Sequence, residues 1–414
     1  MGNLGALDEG CGASVMDMAQ PASDRRGMQR DRHLIGAHTH RRIGPTLIVV
    51  AGLHGNEAGG VEAIRKIRPE IDALRDKLRG RVYLVAGNTR ALTTGKRFVD
   101  TDLNRAWTRE NLASLGTAEL CRKSEGVELT ELESLFDSIL VTAKNEVYVL
   151  DLHSTSAEGV PFATVGDTLR NRHFAQDFPV RIILGIEERL SGTMLESLNN
   201  AGCVTLGFEG GSHTAVETVE NHAAMIWIAL VNAGILWEED VPQLDEYKAQ
   251  LAKYLHGPRI IEVRHREPVK PADNFVMNAG YRNFDPVVKG DLVATNRYGE
   301  VRARESGLMI MPLYQRLGED GFFLGRGVAR FWIFLSEMLR RMGVPDIVER
   351  LPGVTADPGD RETLTIDTRV ARFFPLQIFH LLGFRRRKWV DKKLVVSRRR
   401  HDIVSPFLPN QNGG

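Results

Sequence analysis

Two histidines and one glutamate lie at spacings that suit a metal site. His54 and Glu57 are three residues apart in the stretch Gly-Leu-His-Gly-Asn-Glu, and His153 lies in Leu-Asp-Leu-His-Ser. Two histidines and a glutamate form the ligand set of a catalytic zinc site with an open fourth position. Zinc with an open position activates water near neutral pH, so the three residues point to hydrolysis. Taken alone, the first pair is equally consistent with an exposed turn that holds an incidental histidine and glutamate.

Both halves of this set follow short apolar runs that are typical of buried strands. Residues 46–52 (TLIVVAG) precede His54, and residues 147–152 (VYVLDL) precede His153. Open α/β sheets build their active sites at the carboxyl ends of strands, so the two halves are expected to meet there. Asp151 is expected either to orient a ligand histidine through a hydrogen bond or to be a simple strand-end polar residue.

A charged segment between the two halves is a candidate for binding substrate. It contains Arg97, Asn104 and Arg105. Arginine suits the bidentate recognition of a carboxylate, and Asn104 adds an amide donor beside it. The alternative is a charged surface loop. The position of the segment, between strands that flank the expected site, favours the functional interpretation.

Glu209, in Gly-Phe-Glu-Gly-Gly, is the candidate catalytic carboxylate. It ends another apolar run and is followed by small residues that leave room for a substrate. A carboxylate beside a zinc site is the expected general base for the attacking water. The alternative is an acidic residue that is stabilised by the dipole of the helix that follows.

The pattern of apolar runs predicts an α/β domain with a mixed, mostly parallel sheet flanked by helices. The predicted strands are 46–52, 81–86, 147–152, 181–184 and 203–208. The predicted helices are 57–67, 129–144, 193–200, 214–233 and 241–255. The pair Gly257-Pro258 marks the end of this domain.

Four segments are expected along the chain. Residues 1–35 form a mobile leader without the pattern of a signal sequence, and residues 36–257 form the α/β domain. Residues 258–327, with glycines at turn spacing, form a small all-β domain. Residues 328–414 form a helical and basic C-terminal extension.

The four motifs together resemble the succinylglutamate desuccinylase/aspartoacylase family, a branch of the zinc carboxypeptidase superfamily. The resemblance rests on AGLHGNE at 51–57, DLNR at 102–105, DLHST at 151–155 and Glu209. It extends to about residue 327 through AGYRNF at 279–284 and MPLYQ at 311–315. It implies a zinc carboxypeptidase-like fold and the hydrolysis of the amide bond of a small N-acyl amino acid or related compound.

The resemblance also implies roles for the site residues. His54, Glu57 and His153 would bind one Zn²⁺ per chain, although iron, cobalt or manganese also suit such ligands. Glu209 would activate water together with zinc and later protonate the leaving amine. Arg97 would stabilise the oxyanion. Asn104 and Arg105 would bind a substrate carboxylate.

Two departures from the family affect the expected substrate. The segment 198–202 before Glu209 reads LNNAG, without the arginine and tyrosine that aspartoacylases carry there. Phe322 and Phe323 lie in a later loop where a tyrosine is expected. These departures argue against N-acetylaspartate and succinylglutamate, and the phenylalanines suggest a more apolar pocket.

The basic clusters at 385–388, 392–393 and 398–400 lie outside the resemblance. They are interpreted as a solvated basic face, with peripheral contact to an anionic membrane or nucleic acid as the alternative. The apolar stretch 373–384 before them is expected to pack either on the core or on a second subunit. In the second case the protein would be a homo-oligomer.

Composition adds weaker expectations. The net charge of +1 gives no sign of a nucleic-acid partner, and no apolar run is long enough to span a membrane. Three scattered cysteines favour a reducing compartment, hence the cytoplasm. Two other functions stay open: a zinc carboxypeptidase that acts on peptides, and a non-catalytic zinc- or ligand-binding protein.

Overall fold

The fold centres on one large mixed sheet. It is seen in a computed structural model that describes residues 32–39, 43–367, 376–390 and 393–408. Within these residues the sheet has eleven strands in the order β1-β3-β2-β4-β7-β5-β6-β8-β14-β13-β10. Its strands are β1 Leu34–Thr39, β2 Thr46–Ala51, β3 Arg81–Ala86, β4 Val147–Thr155, β5 Phe162–Val165, β6 Arg181–Leu184, β7 Val204–Ser212, β8 Ile260–Pro268, β10 Pro286–Val287, β13 Gly307–Ile310 and β14 Asp320–Gly327.

The core of this sheet is parallel, as the sequence predicts. β3, β2, β4 and β7 pair in parallel, as do β5, β6 and β8. β1 and β5 were not predicted, and both pair antiparallel to a neighbour in the sheet. β1 starts at Leu34, two residues inside the segment predicted as a leader.

Helices cover both faces of the sheet within the described residues. They are α1 Gly59–Ala73, α2 Thr89–Thr94, α3 Arg109–Ala113, α4 Ser124–Val141, α5 Leu169–Ala175, α6 Met194–Asn200, α7 Val216–Asn232 and α8 Leu244–Ala252. Alternate residues of β2 point to opposite faces, as a strand requires. Val49 therefore joins the core beneath α1 and α7, and Val50 joins the core beneath α4.

Residues 258–327 form mainly β-strands, and the large sheet continues into them. β8 pairs in parallel with β6 on one side and antiparallel with β14 on the other. A second, three-stranded sheet has the order β12-β11-β9. Its strands are β9 Val276–Met277, β11 Leu292–Asn296 and β12 Gly299–Arg302.

The C-terminal extension contains more β-structure than the sequence predicts. Helix α9 (Arg330–Arg341) and a 3₁₀ segment (Val344–Arg350) lead into a four-stranded antiparallel sheet in the order β15-β16-β18-β17. The strands are β15 Val354–Asp357, β16 Asp360–Ile366, β17 Arg386–Val390 and β18 Lys393–Ser397, and α10 spans Leu376–Leu381. Residues 373–375 of the predicted apolar stretch lie outside the described residues. Further along it, Phe379 packs into the core of the extension.

The prediction of a solvated basic face was wrong for three arginines of the extension. Arg385 pairs with Asp167 and Glu262, Arg398 pairs with Glu362 and Asp346, and Arg399 pairs with Glu188. These guanidinium groups hold the extension against the α/β domain or its own sheet. The side chains of residues 386–390 and the whole of residues 391–392 lie outside the described part.

One buried ion cluster anchors the extension on the α/β domain. The carboxylate of Asp167, 1% exposed, meets the guanidinium groups of Arg172, Arg340 and Arg385. Arg340 of α9 also binds Asp402. Burial alone raises the pKa of Asp167, but the arginines outweigh it and hold the pKa well below its usual value. No helix in the described segments is both long and apolar enough to cross a membrane.

Candidate metal centre and active site

The predicted metal ligands come together at the carboxyl ends of β2 and β4. The Nδ1 atom of His54 lies 2.9 Å from Glu57 Oε1, and the Nδ1 atom of His153 lies 3.0 Å from Glu57 Oε2. One ligand atom from each of the three residues lies within 4.8 Å of the others. All three side chains are buried or nearly so. The spacing in the sequence therefore translates into a single cluster.

Glycines shape the turn that carries the first two ligands. Gly52 has a φ of +73°, which an L-residue rarely adopts. A Cβ atom on Gly55 would lie 2.1 Å from the carbonyl carbon of Ala91, so no larger residue fits there. The backbone N–H of Glu57 donates to the carbonyl of His54 at 3.1 Å, which closes the turn and brings the two side chains to the same side.

Each histidine is oriented by an aspartate on its other ring nitrogen. His54 Nε2 lies 3.1 Å from Asp102 Oδ1, and His153 Nε2 lies 2.8 Å from Asp151 Oδ2. When Nε2–H donates to the aspartate, the lone pair of Nδ1 is left for a cation. This contact places Asp151 where it can orient His153, as one of the two expectations from the sequence required. The same role of Asp102 was missed, although Asp102 stands in a quoted motif, because only the fold shows that it reaches His54.

The electrostatics of Glu57 suit a ligand carboxylate. Burial by itself raises the pKa of Glu57, but the adjacent His54 and His153 outweigh it and hold the pKa well below its usual value. The backbone N–H of Ser154 also donates to Glu57 Oε2 at 3.1 Å. Glu57 is therefore ionised and fixed in place. Two imidazole nitrogens and one carboxylate suit zinc, so the residues present fit the metal that the resemblance implies.

Glu209 lies in the same pocket as the three candidate ligands. It is 8% exposed, and its Oε2 atom has no hydrogen-bond partner within the described part of the chain. Burial raises the pKa of Glu209 to about 8, and the negative charge of Glu57 adds to the effect. A buried carboxyl group without a partner is costly, and groups of this kind with perturbed pKa values concentrate at catalytic sites.

The remaining predicted site residues lie at different distances from the cluster. Arg97 is at its edge, 3.0 Å from Asp102 Oδ2 and 3.5 Å from Glu57 Oε1. Arg105 lines the pocket, but its guanidinium lies 3.3 Å from Asp320 and 3.4 Å from Glu319.

Asn104 takes a different position from the two arginines. Its side-chain oxygen accepts from the backbone N–H of Met194, the first residue of α6, at 3.0 Å. Asn104 is not among the residues that line the pocket. In this structure its carboxamide oxygen therefore holds α6 rather than facing the cluster.

Residues of the β-region, 258–327, supply part of the wall of the pocket. The cavity has a volume of about 100 Å³, and residues from 311 to 323 supply much of its wall. Its apolar part consists of Ile186, Leu190, Met311, Pro312, Leu313 and Phe323. Phe323 therefore contacts the cavity, as expected of a more apolar pocket, whereas Phe322 packs in the core of the β-region.

A second group with potential ligands lies elsewhere. It consists of His33, Glu128 and Glu131. Arg32 and Arg90 already place cationic groups 3.3 Å and 3.1 Å from Glu128. Protein cations satisfy these carboxylates, so the group is structural.

The fold and the cluster together define an α/β protein with a candidate metal centre at its strand ends. The model of the succinylglutamate desuccinylase/aspartoacylase catalytic domain matches residues 43–224. Over these residues, a little under half of the chain, the sequence is similar to this family, in line with the resemblance of the four motifs.

Curated relatives match over part of their length. The succinylglutamate desuccinylase of Pseudomonas fluorescens strain Pf0-1 is 32% identical over 114 residues, which cover 28% of this chain and 32% of that protein. A probable aspartoacylase of Acaryochloris marina is 28% identical over 163 residues, which cover 38% of this chain and 52% of that protein. The chain thus matches about a third to a half of the length of these relatives.

Solved structures share the fold over a longer stretch. The product-bound ectoine utilization protein EutE (DoeB) from Ruegeria pomeroyi has a TM-score of 0.51 at 21% identity, over 70% of this chain and 87% of that chain. A succinylglutamate desuccinylase/aspartoacylase from Rhodobacter sphaeroides has the same TM-score at 17% identity and the same coverage. At these identities the likeness establishes the fold.

Proposed function

We propose that the protein is a zinc-dependent hydrolase that cleaves the amide bond of a small N-acyl amino acid or a related compound. The observation that carries this proposal is the pocket that Glu209 lines together with His54, Glu57 and His153, since Oε2 of Glu209 has no hydrogen-bond partner within the described residues. The similarity of residues 43–224 to the succinylglutamate desuccinylase/aspartoacylase catalytic domain supports the same chemistry.

His54, Glu57 and His153 would hold the zinc ion, one per chain. Zinc in such a site supplies Lewis-acid activation of water near neutral pH. Asp102 and Asp151 keep the two imidazole rings in the tautomer that presents Nδ1 to the ion.

Glu209 is the proposed general base and acid. Its buried carboxylate accepts a proton from the attacking water and then delivers that proton to the nitrogen of the leaving amine. The absence of a competing partner on Oε2, within the described residues, leaves this oxygen available.

Arg97 is proposed to stabilise the negative charge that develops on the carbonyl oxygen. Its guanidinium is 13% exposed and is held beside the cluster by Asp102. A preorganised cation at that position acts without reorganising during the reaction. Asp102 would thus orient both His54 and Arg97.

The pocket favours a small substrate with an apolar part. Residues from 311 to 323 supply much of the wall beside the cluster, and a cavity of about 100 Å³ suits a small compound better than a long peptide. Arg105, proposed with Asn104 as a carboxylate-binding residue, already faces the carboxylates of Glu319 and Asp320. We infer that the pocket selects against a second carboxylate and accepts an apolar acyl group or side chain.

The test is hydrolysis by the zinc-loaded protein of a panel that pairs N-acyl derivatives of apolar and acidic amino acids with short peptides. Release of free amine from the apolar N-acyl compounds is the expected result. Cleavage of peptides alone would instead assign a carboxypeptidase. A protein that binds zinc but turns over no member of the panel would favour a binding role. The cytoplasmic location stays a prediction from cysteine usage.

A further inference from the structure

Helix α9 exposes a row of apolar side chains and buries two polar ones. Phe331, Phe334 and Met342 are 62%, 65% and 70% exposed, and Met338 is 39% exposed. On the opposite side, Ser336 and Arg340 are buried. The exposed residues are spaced three or four apart, so they form one stripe along the helix. We name this stripe, Phe331, Phe334, Met338 and Met342, the α9 face.

Ion pairs and hydrogen bonds fix this orientation. Arg340 binds Asp167 and Asp402 in the buried cluster that anchors the extension. Ser336 donates to the carbonyl of Leu381 and accepts from Arg172 at 3.2 Å. Rotation of α9 to bury its apolar stripe would leave buried charges unpaired, which is costly. The fold therefore holds the stripe towards solvent.

The apolar surface continues on neighbouring elements. Ile347 of the 3₁₀ segment after α9 and Ile378 of α10 are 51% and 37% exposed. Both elements pack against α9. Exposed apolar side chains that are grouped on neighbouring elements are more often part of an interaction site than ones scattered singly.

Arginines surround the first turn of α9. Arg326 and Arg330 are exposed and have no ion pair within the described residues. A cavity of about 570 Å³ lies beside Arg326, and its wall also includes Trp332 and the ion pair of Arg264 with Glu262. The rings of Phe331 and Trp332 are in edge-on contact, so the α9 face and the cavity adjoin. Positive charge and exposed apolar side chains therefore meet at one end of the helix.

We propose that the α9 face docks on an anionic phospholipid bilayer. The exposed phenylalanines and methionines would enter the boundary between headgroups and acyl chains, and Arg326 and Arg330 would face lipid phosphates. An apolar stripe flanked by arginines is the chemistry of a helix that lies in the membrane interface. The helix is about 18 Å long, too short to span a bilayer.

A second copy of the chain is the less favourable occupant. A two-fold interface would place the same face of each copy against the other. That arrangement would bring the unpaired Arg326 and Arg330 of both copies close together. Lipid phosphates supply the opposite charge.

The test is sedimentation with large vesicles of phosphatidylcholine alone or mixed with phosphatidylglycerol. Binding is expected to the mixed vesicles, and it should weaken at high salt because the arginines contribute. The double variant Phe331→Ser/Phe334→Ser is expected to bind roughly tenfold or more weakly, since two apolar anchors are lost. Arg326→Glu/Arg330→Glu is expected to weaken binding to a similar degree and tests the charge separately.

Matched controls lie on other surfaces. Val276→Ser/Val288→Ser removes two exposed apolar side chains of the β-region. Arg65→Glu/Arg304→Glu makes the same charge change at exposed positions elsewhere. Both controls should bind mixed vesicles like the parent protein.

Three outcomes would overturn the proposal. One is that the parent protein does not sediment with mixed vesicles. Another is that the α9 variants bind as well as their controls. The last is a dimer in light scattering that Phe331→Ser/Phe334→Ser converts to a monomer, which would assign the face to a second copy. Thermal unfolding and amide hydrolysis, measured beside each assay, report whether a variant is folded.

Discussion

Glu209 lies directly beside His153, because the register of the parallel strands β4 and β7 pairs these two residues. One strand end thus carries a candidate metal ligand, and the next carries the candidate base. The position of Glu209 follows from sheet pairing, and no flexible loop has to place it. This explains how a carboxylate more than fifty residues away in sequence reaches the cluster.

The two aspartates behind the histidines should control metal affinity. Asp102→Asn or Asp151→Asn removes a charged acceptor from a ligand imidazole, and the affinity for zinc is expected to fall by roughly 10- to 100-fold. Competition with a zinc chelator measures the change. Asp100→Asn is the matched control, since Asp100 is an exposed neighbour that accepts from Ser124. Equal affinities in all variants would show that neither aspartate supports a ligand.

Asp320 should help to set substrate preference. It faces Arg105 at 3.3 Å and also pairs with Arg266. Asp320→Asn is expected to free Arg105 for a substrate carboxylate. The ratio of kcat/KM for N-acyl aspartate to kcat/KM for an N-acyl apolar amino acid should then rise by roughly tenfold. Glu300→Gln removes an acidic group of the β-region, outside the pocket, and should leave this ratio unchanged. A fall in the ratio would contradict the inferred selection against a second carboxylate.

The cluster around Asp167 should dominate the attachment of the extension. Asp167→Asn leaves the buried Arg172, Arg340 and Arg385 short of a counter-charge, so the free energy of unfolding is expected to fall by about 3–5 kcal/mol. Urea unfolding followed by circular dichroism measures it. Asp357→Asn, at an exposed position, serves as the control. A change below about 1 kcal/mol would contradict the anchoring role.

The same cluster predicts a pH dependence. The pKa of Asp167 is held well below its usual value, and that of Glu262 is lowered to about 2, mainly because His380 and Arg385 outweigh the effect of burial. A carboxylate whose pKa is lower in the folded than in the unfolded protein stabilises the fold fully at pH values above its pKa in the unfolded protein. This stabilisation is lost as the pH falls to its pKa in the folded protein. The free energy of unfolding should therefore decline from about pH 4 downwards. Asp167→Asn should show a shallower decline, and an equal slope would assign the acid sensitivity elsewhere.

The grouping of the candidate ligands was predictable because they follow strongly patterned strands. The runs before His54 and His153 are fully apolar, and a buried parallel strand requires that pattern. The role of Asp102 was not predictable in the same way, since it depends on a contact across 48 residues. The ion pair between Arg105 and Asp320 was also not predictable, because the two residues come from different regions of the chain.

The extension shows where local pattern misleads. The Arg398–Arg400 cluster reads as a charged surface, yet Arg399 inserts against Glu188 of the α/β domain. Similarly, the apolar residues of α9 suggest a buried helix face, but Arg340 pairs with Asp167 and turns that face outwards. In both places a long-range ion pair decides which side of an element is buried, and no window of sequence contains both partners.

The central claim is that Glu209 acts as the general base and is not one of the metal ligands. Glu209→Gln preserves shape but removes the base, so zinc content should stay at one per chain while amide hydrolysis falls by roughly 10²- to 10⁴-fold. Glu187→Gln is the matched control, because Glu187 is also buried with a raised pKa but lies outside the pocket lining. The measurement is amine release from an N-acyl amino acid by both variants, with metal content determined on the same samples. Full activity in Glu209→Gln would contradict the account, and a loss of zinc in that variant would make Glu209 a ligand instead.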